Sequence, residues 1–157
     1  MTDIRPAPAP NRPGDGAPEP TIRFAGLAID FLEVRREAGG VDLFTTAVRP
    51  GAGMPVPHHH EGWDETIYGL SGVTTWQIDG REVAVGAGQS AFIPRGTVHG
   101  FGNRSDAEAR FLSILTPGLL GPGYFREMAD LVGSGRATPE AVAGLMRRHG
   151  LVPHQAP

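Results

Sequence analysis

The chain lacks two residue types that often shape a protein's chemistry, because none of its 157 residues is cysteine or lysine. Without cysteine there is no disulfide bond and no thiolate metal site, so a metal ion would have to be held by nitrogen and oxygen ligands. The formal net charge is only −3, which provides no strong positive field for nucleic acid or anionic lipid. A small molecule is therefore the predicted partner, and neither nucleic acid nor a membrane is expected.

Long hydrophobic runs are also absent. No segment approaches the roughly 20 apolar residues that a transmembrane helix needs, and the first residues lack the apolar core of a signal peptide. We therefore expect a cytoplasmic protein. Residues 1–20 contain six prolines and almost no large apolar side chain, a composition typical of a disordered tail.

Residues 21–117 have the pattern of an all-β domain. Short apolar runs of about 4 to 8 residues alternate with turn residues, as in small β-sandwiches and barrels. The clearest case is VTTWQIDGREVAV, residues 73–85, where Asp79 and Gly80 supply a positive-φ hairpin turn between two strands.

Residues 118–157 change to helical spacing, which predicts two short C-terminal helices packed on the barrel. The apolar residues of the first predicted helix are Phe125, Met128, Ala129 and Val132. The second helix is predicted to begin with Thr138 as its N-cap and Pro139 in its first turn.

Three consecutive histidines, at positions 58–60, are the first candidate metal ligands in the sequence. Alternate side chains of a strand point to opposite faces, so His58 and His60 share one face and His59 points to the other. Two imidazoles at this spacing can reach one ion. Glu65 can add a carboxylate from the next segment, and His99 offers a further ligand from a later one.

Other polar residues near these candidates are predicted to have structural roles. His59 is expected on the outer side of its strand, and Asp64 is expected to be exposed beside a ligand. His149 and His154 are expected at a helix end and in a terminal tail.

The candidate ligands belong to two spaced patterns, which are His58-x-His60-x4-Glu65-x6-Gly72 and Gly88-x5-Pro94-x-Gly96-x2-His99-x3-Asn103. They resemble the two sequence motifs of the cupin superfamily. The resemblance implies a jelly-roll antiparallel β-barrel of six or more strands with a metal centre inside. It assigns His58, His60, Glu65 and His99 as the metal ligands. The glycines and Pro94 suit turns and strand ends, and Asn103 is expected to tie a turn together.

Three imidazoles and one carboxylate are typical of a catalytic divalent transition metal with open coordination positions. Iron is the metal predicted first, while manganese, nickel, cobalt, copper and zinc are compatible with the same ligands. The leading hypothesis is a mononuclear dioxygenase that acts on a small enolic or phenolic substrate, with Glu65 as the candidate base. The alternatives are an isomerase, cyclase or lyase that uses the ion as a Lewis acid, and a non-catalytic module that binds or senses a small molecule. By resemblance to cupin barrels, a homodimer is expected.

Alternation also predicts the wall of the pocket around the metal. If Glu65 points inward, Ile67 points inward as well, and an inward His99 implies an inward Phe101. Because small-molecule pockets are mostly apolar, the further wall candidates are chosen by residue type. They are Met54, Trp76, Phe92 and Phe111.

The alternation argument can be tested with the histidine triplet. We expect His58→Ala and His60→Ala each to lose the metal when it is supplied at an equimolar level, because each removes a ligand. His59→Ala should retain the metal, as measured by elemental analysis after desalting. Loss in His59→Ala together with retention in His58→Ala would mean that the strand register is wrong by one residue.

Overall fold

A computed structural model describes residues 20–37 and 39–154 of the chain. The predicted disordered tail therefore lies outside the described residues, apart from Pro20. In the described part, eleven strands and two helices follow one another along the chain. They are β1 (Ile22–Phe24), β2 (Leu27–Arg35), β3 (Val41–Val48), β4 (Gly53–His60), β5 (Asp64–Ser71), β6 (Val73–Ile78), β7 (Arg81–Gly86), β8 (Ser90–Ile93), β9 (His99–Gly102), β10 (Ala109–Thr116), α1 (Gly121–Gly133), α2 (Pro139–Arg148) and β11 (Leu151–Pro153).

The strands form two antiparallel sheets that enclose one core. The six-stranded sheet has the order β1-β2-β3-β10-β5-β8, and the five-stranded sheet has the order β11-β4-β9-β6-β7. Apolar side chains from both sheets and both helices form a single buried cluster. The predicted all-β barrel with two C-terminal helices is confirmed.

The hairpin between β6 and β7 turns at the residues that the sequence indicated. Ile78 pairs with Arg81, so Asp79 and Gly80 are the two turn residues. Their φ angles are +49° and +72°, which are the positive values that a type I′ turn requires at both central positions. The register that follows points Trp76 into the core, where it is fully buried.

The second helix begins where the sequence predicts, and the first helix buries predicted residues. The side chain of Thr138 accepts a hydrogen bond from the backbone N–H of Ala141, so Thr138 caps α2 as expected. In α1 the buried face includes Phe125 and Met128 as predicted, and also Tyr124.

A buried carboxylate on β3 holds the start of α1. Asp42 is 0% exposed, and its Oδ2 accepts hydrogen bonds from the backbone N–H groups of Leu120 and Gly121, both at 2.9 Å. Its Oδ1 accepts a hydrogen bond of 2.6 Å from Arg36, which also donates to the carbonyl oxygen of Gly118. Asp42 therefore satisfies N–H groups at the helix start that have no partner within the helix.

Strand β11 was not predicted. Residues 151–153 follow α2 and pair with β4, with Leu151 opposite His60 and Val152 opposite His59. The C-terminal segment is therefore not only helical, because it also completes one edge of the five-stranded sheet. The backbone N–H of His154 continues this contact by donating to the carbonyl oxygen of Pro57, so the prediction of a simple tail at His154 is wrong.

Neither helix in the described part of the chain has the length and hydrophobicity that crossing a membrane would require.

The Asp42 contact predicts a large loss of stability on substitution. Asp42→Asn should lower the free energy of unfolding by about 2 to 4 kcal/mol, because a buried acceptor of two backbone N–H groups and one guanidinium is disrupted. Urea denaturation measures this change. The matched control is Glu82→Gln, which breaks the exposed ion pair with Arg104 and should cost less than about 1 kcal/mol. Equal effects of the two substitutions would contradict the role given to Asp42.

Candidate metal centre

The histidine triplet is divided between the two faces of β4. His58 and His60 are buried inside the barrel, whereas His59 points outward, where its Nδ1 lies 2.7 Å from Nε2 of His154. His99 on β9 pairs directly with His58, so the adjacent strand brings the third imidazole to the same face. Ring nitrogens of the three buried histidines all lie within 4.8 Å of one another.

Backbone carbonyls orient two of the imidazoles. Nδ1 of His58 lies 2.9 Å from the carbonyl oxygen of Val56, and Nδ1 of His99 lies 2.9 Å from that of Thr97. Because a carbonyl only accepts hydrogen bonds, each of these two Nδ1 atoms carries a proton. Nε2 of a neutral His58 therefore keeps its lone pair, whereas Nε2 of His99 faces Glu65. The ring of His60 is instead stacked on Trp63, with 4.6 Å between centroids.

Glu65 brings a carboxylate to the three imidazoles. Its Oε2 lies 3.3 Å from Nε2 of His99 and 3.9 Å from Nδ1 of His60, and its Oε1 accepts a hydrogen bond of 3.1 Å from Ser113 on β10. Glu65 is buried because it lies on the inner face of β5, as the alternating burial of this strand shows.

Burial and mutual charge set the protonation of these groups. Burial lowers the pKa of His58 to about 4 and that of His60 to about 3, because a charged imidazole is poorly solvated there. Burial alone would raise the pKa of Glu65, but the hydrogen bond with His99 and the nearby imidazoles lower it to about 2. The same contact raises the pKa of His99 against the effect of burial.

This set of groups fits a divalent metal ion. Metal ligands must be deprotonated, and here two imidazoles are neutral while the carboxylate is ionised. Ligands about 2.1 Å from an ion and at right angles to each other lie about 3 Å apart, close to the 3.3 Å between Glu65 and His99. The three buried histidines can therefore hold a metal ion, and the role of Glu65 as a fourth ligand stays a prediction.

The cluster lines a small cavity between the two sheets, with a volume of about 50 Å³. Apart from the cluster, its wall is mainly aromatic and aliphatic. The C-terminal segment covers one part of it through Leu120, Tyr124 and Phe125 from α1 and the turn before it, and through Leu151 from β11. About 10 to 15 Å³ of such space already holds one water molecule, so the cavity has room for a few water molecules or a compact ligand group.

The predicted wall residues separate into three groups. Met54, Trp76, Phe101 and Phe111 line the cavity. Ile67 is fully buried as predicted, but it belongs to the core beside the cavity and not to its lining. The prediction for Phe92 is wrong, because its side chain is 60% exposed. Ile93 on β8 faces inward opposite Glu65, so alternation turns Phe92 outward.

Sequence reasoning missed several residues of the site. Ser113 lies in the alternating segment ARFLSIL, where a polar residue at an inward position was a usable signal. Tyr124 lies on the buried face of α1, one position before the predicted Phe125. The contacts of Trp63 and Leu151 depend on tertiary pairing, for which the local sequence has no signal.

Asp64 is more than an exposed neighbour of the ligand. Both of its carboxylate oxygens accept hydrogen bonds from the Arg95 guanidinium, at 3.0 and 2.8 Å, and the Arg95 backbone N–H also donates to it. The hydrogen bonds from Arg95 lower the pKa of Asp64 to about 2. This contact ties the start of β5 to the loop before His99, next to the ligand cluster.

The fold and this cluster define a double-sheet β-barrel protein with a buried three-histidine site that can hold a metal. The family model described as Cupin domain matches residues 44–115, a range that includes all four predicted ligands. Residues 44–115 therefore form a cupin domain by sequence, and the solved structures of similar fold include members of the cupin superfamily. No curated protein matches the sequence.

Solved structures with the same fold have diverse functions. A sugar phosphate isomerase of the cupin superfamily from Silicibacter pomeroyi is 26% identical, with a TM-score of 0.51 over 60% of this chain and 61% of that one. The polyketide cyclase RemF from Streptomyces resistomycificus is 31% identical, with a TM-score of 0.50 over 58% of this chain and 65% of the cyclase. A cupin domain of an XRE family transcriptional regulator from Enterobacter cloacae is 24% identical, with a TM-score of 0.51 over 57% of this chain and 95% of that one. The chain thus spans less than two thirds of the isomerase and of the cyclase.

The position of Glu65 predicts its contribution to metal binding. Glu65→Gln should weaken the affinity for a divalent metal at least about tenfold, because a neutral amide replaces the carboxylate beside the imidazoles. Competition with a chromogenic chelator measures the affinity. The matched control, Glu61→Gln, changes an exposed carboxylate four positions earlier and should leave the affinity unchanged. If the two variants bind alike, Glu65 is not a ligand.

Proposed function

We propose that the protein is a mononuclear metal-dependent dioxygenase that acts on a small enolic or phenolic molecule. The observation that carries the proposal is the buried cluster of three imidazoles and one ionised carboxylate in a small apolar cavity. When bound there, a transition metal such as iron supplies Lewis acidity and redox chemistry towards dioxygen. The small, mainly apolar lining supports a compact organic substrate.

The side chains of the chain have separate tasks in this proposal. His58, His60, His99 and Glu65 hold the ion, and backbone carbonyls keep the first and third of these imidazoles in a fixed orientation. Glu65 is also the candidate base, since it is the carboxylate that the described residues place in the cavity lining. Ser113 donates a hydrogen bond to one of its oxygens, which orients the carboxylate.

The apolar wall protects the reaction from water. Trp76, Phe101 and Phe111 pack against one another with centroid distances of 4.8 to 5.2 Å. A low-polarity wall strengthens electrostatic interactions inside the site and keeps water from reactive intermediates. An organic substrate must displace a side chain to enter, and Met54 is suited to this because an unbranched thioether changes rotamer readily.

A second candidate is a Lewis-acid cyclase or isomerase. The 31% identity to the polyketide cyclase supports this alternative, and it uses the same cluster without oxygen consumption. The homodimer stays a prediction, and so does the assignment of iron.

Oxygen uptake tests the proposal. Iron(II)-loaded protein should consume oxygen with acetylacetone or catechol, and much more slowly with a flavonol, because the cavity is small. Uptake should fall at least about a hundredfold in His60→Ala and Glu65→Ala, and His59→Ala should retain it. Turnover of the same compounds without oxygen, followed by NMR, would replace the dioxygenase with the Lewis-acid alternative.

A further inference from the structure

The hydroxyl of Tyr124 is a buried polar group without a protein partner. Among the described residues, the fully buried side-chain atoms that lack a hydrogen-bond partner are the Tyr124 hydroxyl and Trp63 Nε1. Of these two residues, Tyr124 lines the cavity that contains the metal-ligand cluster. Buried hydroxyls are normally satisfied, so this one would gain a partner from a ligand that displaces the side chains now enclosing it.

Its ring is held firmly in place. Tyr124 is 1% exposed, and its ring has edge-to-face contacts with Phe125 at 5.0 Å and His149 at 5.6 Å. The start of α1, three residues earlier, is fixed by the Asp42 carboxylate. Burial also raises the pKa of Tyr124, so the phenol keeps its proton and can donate it in a hydrogen bond.

The charge of the cavity lining restricts the class of ligand that can bind beside this hydroxyl. In the described structure no arginine lines the cavity, and the chain has no lysine. A phosphate or a dicarboxylate would therefore meet no cationic arginine or lysine side chain here, and a bound metal ion alone would have to offset its charge. Oxygen groups with low charge density, such as ketones, enols and phenols, can be buried here with only the metal-ligand cluster and one neutral hydrogen-bond donor as partners.

We infer that Tyr124 binds and orients the substrate, with its hydroxyl donating a hydrogen bond to one substrate oxygen while a second oxygen faces the His58–His60–His99–Glu65 cluster. This inference rests on the proposed function and specifies its substrate class. The substrate is a compact molecule with two oxygen functions, an otherwise apolar surface and no phosphate.

The test uses acetylacetone, which has two oxygens and seven non-hydrogen atoms, as the probe. Cobalt(II)-loaded protein is titrated without oxygen, and binding is followed by the visible spectrum of the metal. Tyr124→Phe should weaken binding about five- to tenfold and shift the spectrum of the complex, because one hydrogen bond to the probe is lost. Tyr68→Phe is the matched control, because the hydroxyl that it removes belongs to the exposed tyrosine of β5; binding should not change.

The outcomes separate this inference from the proposed function. If the wild-type protein binds metal but not acetylacetone, the proposed substrate class is wrong and the inference fails with it. If the wild-type protein and Tyr124→Phe bind the probe equally, the inference alone is wrong. The melting temperature of ligand-free Tyr124→Phe should be unchanged or higher, because the hydroxyl makes no bond within the protein. A lower melting temperature with an unchanged dissociation constant would show a purely structural role and overturn the inference.

Discussion

The arrangement of the site depends on the burial of one carboxylate. Glu65 is almost inaccessible to solvent, and an ionised carboxylate in such a place requires positive charge or several hydrogen-bond donors beside it. Histidines from β4 and β9 and a serine from β10 meet this requirement. Three neighbouring segments must therefore keep their register with respect to β5, since a shift of one residue would turn the imidazoles to the outer face. The same residues therefore determine both the geometry of the site and the register of the strands.

The C-terminal segment covers part of the cavity that the two sheets alone would leave open. Asp42 holds the beginning of α1, while Glu127 on α1 forms an ion pair with Arg148 and lies 2.9 Å from Nε2 of His149 at the end of α2. Residues 118–154 therefore have contacts with the barrel and, between the two helices, with one another. Because the C-terminal segment has these contacts, a ligand would reach the cavity by small side-chain movements and not by displacement of a helix. Such a route favours compact molecules.

The main features of the site could be predicted because strand alternation and motif spacing are local properties. Alternation placed His58 and His60 on one face, and the resemblance of the two spaced patterns to the cupin motifs added Glu65 and His99, all without knowledge of strand order. Phe92 was misplaced because its direction depends on the register of β8 against β5, which residue type does not reveal. β11 was missed since three residues after a helix have no periodicity of their own, and their pairing with β4 is a long-range contact. The free hydroxyl of Tyr124 could not be predicted either, since hydrogen-bond satisfaction is a property of the packed structure.

The pairing of β11 with β4 also affects how the protein folds. His59 and His154 are in contact across this pair and are 95 positions apart in the sequence. The strand with two of the predicted ligands, β4, is therefore paired on one side by a segment distant in sequence. Contacts between residues distant in sequence form slowly, and β4 has an unpaired edge until β11 arrives. An unpaired edge is a template for association with another chain. Pro57, which has no N–H to offer a foreign strand, lies on this edge and limits that risk during synthesis. The sheet with the three buried histidines is thus completed by a long-range contact, and loss of that contact would leave the edge of β4 open to association.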